Sequence, residues 1–122
     1  MKKIVFVCLL FVLQSVNALS LSLTNDPVGL DFYPNKPVVI NNNNTQNLQY
    51  MCEMHVNEHA DNTLLIKQVK GSGVVNGTTL EPGRTLYLTI RQLQTMTVLA
   101  QKGARLQFTN LGTKLIRGLC YQ

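Results

Sequence analysis

Glu53, His55, Glu58, His59 and Asp61 fall within nine residues of one another, and no other stretch gathers as many side chains able to hold a metal. Imidazole beside carboxylate suits zinc or another transition metal. The oxygens of Asn57, Glu58, Asp61 and Asn62 would instead suit calcium. The spacing matches no metal motif: His55 and His59 are four apart but outside any helical pattern, and Glu58 does not stand where a metalloprotease helix needs its base. The plainer reading of this stretch is a solvated polar hairpin tip, with no cofactor.

Nucleophilic chemistry has less to build on. Past residue 18 the serines are Ser20, Ser22 and Ser72, and none sits in a strand-turn-helix elbow. The segment Gly71-Ser72-Gly73-Val74-Val75-Asn76-Gly77 is glycine-rich, but it lacks the lysine of a phosphate loop and opens no helix, so it reads as turn chemistry. A paired-carboxylate hydrolase using Glu53 and Glu58 is the enzymatic alternative. The expectation is a protein that is not an enzyme.

Charge is unevenly spread. Residues 19–66 hold five acids and one base, Lys36, whereas residues 67–122 hold eight bases and one acid, Glu81. Lys67, Lys70, Arg84, Arg91, Lys102, Arg105, Lys114 and Arg117 would form a basic face if their strands are neighbours, and such a face favours an anionic partner: lipid headgroups, an envelope polymer or an acidic protein. The competing reading scatters them as solvated charges on strand edges, where lysine also discourages edge-to-edge association. Nucleic acid does not fit, because no aromatic residues are interleaved with the bases.

The N-terminus supplies an address. Lys2 and Lys3 precede an apolar segment over residues 4–13, and Val16-Asn17-Ala18 places suitable residues before a cleavage point after Ala18. This is the pattern of a secretory signal peptide, and the apolar run is about half of the ~20 residues needed to span a bilayer. Val7 before Cys8 does not fit a lipoprotein signal. Cleavage leaves residues 19–122 as one domain without a transmembrane segment, and loss of the two lysines lowers the formal charge from +5 to +3. The expected location is secreted or periplasmic. Cys52 and Cys120 then remain as an even pair bound for an oxidising compartment, which implies a disulfide.

These residues need elements to position them, and beyond the leader the apolar spacing is two rather than three and four. That predicts an all-β domain. Leu19, Leu21 and Leu23 alternate with Ser20, Ser22 and Thr24 as a first strand. Pro34 and Pro37 confine the piece over residues 28–33 to an edge or a loop, and 38–40 is a further strand. The run 41–44 reads as a turn. Asn43-Asn44-Thr45 and Asn76-Gly77-Thr78 also match the N-glycan acceptor pattern, which matters only in a eukaryotic secretory route.

The strongest pattern spans residues 48–56. Leu48, Tyr50, Cys52, Met54 and Val56 share one face against Gln49, Met51, Glu53 and His55, and Cys52 falls where an inter-sheet disulfide would start. Strands follow at 63–69, at 74–75 and 78–79 around an Asn76-Gly77 hairpin turn, at 85–90, around Met96 to Ala100, at Leu106 and Phe108, and within 114–120. Seven to nine short strands with one disulfide indicate a small antiparallel β-sandwich, with a small barrel as the alternative. The layout resembles an immunoglobulin-like sandwich. It departs from antibody-type domains in having no tryptophan and no tyrosine two residues before Cys120.

The functional expectation is a secreted or periplasmic binding module, an accessory subunit of a bacterial envelope or secretion assembly, using the basic face. A metal-binding protein centred on His55 and His59 is the second reading.

Overall fold

A computed structural model describes residues 17–20 and 27–122. The described residues form eleven strands: β1 (Asn17–Ser20), β2 (Val28–Phe32), β3 (Val38–Asn41), β4 (Leu48–His55), β5 (Thr63–Lys70), β6 (Gly73–Val75), β7 (Thr78–Leu80), β8 (Thr85–Thr89), β9 (Thr95–Ala100), β10 (Arg105–Asn110) and β11 (Ile116–Tyr121). They build a five-stranded sheet in the order β1-β3-β10-β5-β8 and a six-stranded sheet in the order β2-β11-β4-β9-β6-β7. Pairing is antiparallel except between β1 and β3.

The period-two pattern explains the sandwich. In β4 burial alternates strictly, with Leu48, Tyr50, Cys52 and Met54 inside, and β9 does the same with Met96, Val98 and Ala100. The inner faces of the two sheets meet in one core, where Phe32 of β2 and Phe108 of β10 pack across the layers with ring centroids 5.7 Å apart. As expected from Pro34 and Pro37, β2 is an edge strand. The Asn76-Gly77 turn takes positive φ at both residues, 48° and 81°, the conformation a two-residue hairpin with this twist requires.

Three expectations change. The disulfide forms between Cys52 and Cys120, but within one sheet rather than between sheets: β11 lies beside β4, and the two cysteines are directly opposed, with Cα atoms 3.9 Å apart. Residues 56–62 are not a hairpin tip. They carry the chain from β4 in one sheet to β5 in the other. The first strand is already formed at Asn17, two residues before the expected start at Leu19, so cleavage after Ala18 would divide it. The rest of the expected leader, residues 1–16, and the rest of the expected first strand, residues 21–24, lie outside the described residues.

Antiparallel reversal sorts the connections into two ends. Residues 42–47, 71–72, 81–84 and 101–104 lie at one end, tied together by Asn42 N to Ala104 O at 2.9 Å and Gln101 N to Ser72 O at 3.2 Å. Residues 33–37, 56–62, 90–94 and 111–115 lie at the other, joined by Leu93 N to Met54 O at 2.7 Å and Leu111 N to Thr63 O at 2.9 Å.

Candidate functional site

At the first end a local irregularity in β5 brings two bases together. Regular alternation after inward-facing Gln68 would set Val69 opposite Arg105 and turn Lys70 inward. Instead the register shifts between Arg105 and Leu106, so Leu106 faces Gln68 while Arg105 faces Lys70. Re-aiming a side chain in this way is what a β-bulge does. Buried Gln68 supports it, donating from Nε2 to the Lys70 carbonyl at 3.0 Å.

Lys70 and Arg105 thereby become exposed neighbours at the rim of a cleft of about 260 Å³. Asn41, Asn42, Asn43, Asn44 and Gly103 complete its lining, and no acid is among them. Arg105 Nε donates to Asn41 Oδ1 at 2.7 Å, which holds the guanidinium at the cleft. Asn42 fixes the loop from below: fully buried, it donates to the carbonyls of Gln46, Ala100 and Gln101 at 3.0, 2.9 and 3.1 Å, and its Oδ1 accepts from Asn44 N at 3.0 Å. The asparagine run ends β3 at Asn41 and bends away only from Asn42 onward, wired into the neighbouring β9–β10 connection.

The eight bases of the C-terminal half do not share one face. Lys67 stands on the outer face of the five-stranded sheet, opposite Gln107 and Thr85, and Lys70, Arg84, Lys102 and Arg105 lie at the basic end beside it. Arg91 and Lys114 sit in connections that chain reversal carries to the opposite end. Arg117 is on the outer face of the other sheet, where its Nε donates to Asp31 Oδ1 at 2.9 Å. That hydrogen bond, and then the charge of Asp31, raise the Arg117 pKa further, so this cation is already matched. Among the described residues Glu81 is the one acid at the basic end, and its Oε1 accepts from Ser72 Oγ at 2.9 Å.

The histidine stretch is divided between the end of β4 and the crossover that follows it. His55 Nε2 lies 3.0 Å from Glu53 Oε1 on the outer face of β4, in the row that continues to Arg117 and Asp31. His59 belongs to the crossover, where its backbone N–H donates to Asn57 Oδ1 at 2.8 Å. Glu58 and Asp61 instead line an open cleft of about 440 Å³ with Arg91 and Gln92. Among the described residues no three His, Cys, Asp or Glu side chains are grouped to hold a metal.

The bulge and the buried amides of Asn42 and Gln68 are the features that sequence reasoning missed. A polar residue at an inward position of an alternating strand, as Gln68 is in β5, was the available signal. Compared with known protein families, with curated proteins and with solved structures, the chain matches none.

Proposed function

We propose that this chain is an exported, non-enzymatic binding module that holds an anionic partner at its basic end, as an accessory subunit of an envelope assembly. The observation that carries the reading is the bulge that sets Lys70 beside Arg105 over an acid-free, amide-lined cleft. A guanidinium gives paired donors to a carboxylate, sulfate or phosphate, and side-chain amides supply both donors and acceptors for the hydroxyls of a polymer carrying such groups. Arg84, Lys102 and Lys67 extend the positive potential beyond the cleft. Export is supported by the Lys2-Lys3, apolar and Ala18 pattern and by a cysteine pair suited to an oxidising compartment.

The test compares binding of a uronic-acid oligosaccharide and of vesicles containing anionic lipid by titration. Lys70→Glu with Arg105→Glu should weaken binding roughly tenfold or more, the loss of one charge-assisted hydrogen bond at about 1.4 kcal/mol. Lys36→Glu with Lys114→Glu, at the other end, should leave it unchanged. Affinity should also fall with added salt. Equal binding by the wild type and the Lys70/Arg105 variant would refute the site.

A further inference from the structure

Strand β8 ends the five-stranded sheet, and among the described residues only β5 pairs with it. Its sequence, Thr85-Leu86-Tyr87-Leu88-Thr89, is a palindrome about Tyr87 with no charge and no proline. Edge strands are normally blunted by such residues. Here the charges stand just outside, at Arg84 and Arg91.

The ladder shows which backbone groups have no partner among the described residues. At one end Gln68 N donates to Arg84 O at 2.9 Å, and at the other Ile90 N donates to Asn62 O at 2.8 Å. With the register unbroken between them, the even-numbered residues of β8 bond inward to β5. The N–H and C=O groups of Thr85, Tyr87 and Thr89 therefore point away from the domain, symmetrically about Tyr87. The side chains leave work undone as well: Tyr87 is 65 % exposed, and Leu86 and Leu88, which face the core side, are only partly buried.

We infer that β8 pairs antiparallel with β8 of a second copy of this chain, about a two-fold axis at Tyr87, joining the two sheets into one. In that register Tyr87 meets Tyr87, Leu86 meets Leu88, and Thr85 meets Thr89, so each outward N–H finds a carbonyl. The leucine pairs close over the open rim of the core, in the positions where antiparallel side chains approach most closely. The same axis sets the basic end of one copy against the end of the other that carries Asp31, Glu53, Glu58 and Asp61. Arg84 of the partner subunit lies across from Ile90, whose cleft holds two acids, Glu58 and Asp61, against one base, Arg91. Such a contact is isologous and closes at two copies. The edge is short, so the dimer is reversible and dependent on concentration.

Sedimentation of the purified protein over a concentration series tests this, with circular dichroism as the check on folding. The wild type should pass from monomer to dimer. Tyr87→Pro removes only an outward N–H, so it should stay folded and become monomeric at all concentrations. Thr85→Lys with Thr89→Lys changes exposed side chains alone and should do the same, because each lysine would face its like across the axis. Arg84→Glu should weaken the dimer and Arg84→Glu with Asp61→Lys should restore it. A wild type that stays monomeric, an open assembly larger than a dimer, or a dimer that survives both edge variants would overturn the inference.

Discussion

Single side chains decide how the loops are held, and the buried asparagines do most of it. Asn110 is fully buried, donates to the carbonyls of Phe32 and Lys114 at 2.9 and 2.7 Å, and accepts from Gly112 N at 2.8 Å. Asn42 is its counterpart at the basic end. Alanine at either position would remove the donor that ties these loop carbonyls to the core, at a cost of about 1–3 kcal/mol. Asn42→Ala should therefore lower the denaturation midpoint and weaken anion binding together, whereas Asn110→Ala should lower the midpoint alone; chemical denaturation and titration read the two effects. From the sequence, residues 41–44 read as a turn, though Asn41 still belongs to β3. Which of four identical residues turns inward was not, because each has the same local preference and only the approach of β9 and β10 selects one.

At the scale of elements, almost every strand was legible, since alternation reports burial of one face. What alternation cannot report is a place where it fails. The β5 bulge adds a residue against a partner strand that is distant in sequence, and its one local sign in Lys67-Gln68-Val69-Lys70 is polar Gln68 at an inward position. Gly73 shows the same limit. Read as part of a glycine-rich turn, it is the first residue of β6, and a Cβ there would lie 2.8 Å from the Leu99 carbonyl oxygen of β9. Glycine in a strand often marks such a close backbone approach. Because a backbone oxygen cannot swing aside, Gly73→Ala should push β6 from β9 and destabilise the protein by about 1–3 kcal/mol, the usual cost of overpacking. An unchanged unfolding curve would disprove that account.

For the whole molecule the dominant covalent fact is the Cys52–Cys120 bond, which spans 68 residues of sequence and ties the last strand to the middle of the six-stranded sheet. Closing a loop of that length restricts the unfolded chain by about 4 kcal/mol on the chain-entropy model. Cys52→Ser with Cys120→Ser should lose up to that amount in denaturant unfolding, with the strand content retained below the transition. The second property at this scale is polarity between the ends. Asp31, Glu53, Glu58 and Asp61 lie toward the end opposite Lys70, Arg84, Lys102 and Arg105. Charge asymmetry along the sequence hinted at this division without drawing it correctly, because Arg91, Lys114 and Arg117 fall with the acids.

Sequence by itself determined the class of fold, the disulfide partners and most strand positions, because each follows from local periodicity, residue type or the parity of cysteines. Tertiary structure alone decided that the disulfide lies within one sheet, that the loop of His59 is a crossover between sheets, that only some of the bases gather, and that Lys70 meets Arg105. Each of those depends on which strands become neighbours and in what register, and pairing between distant segments leaves no mark on either segment taken alone.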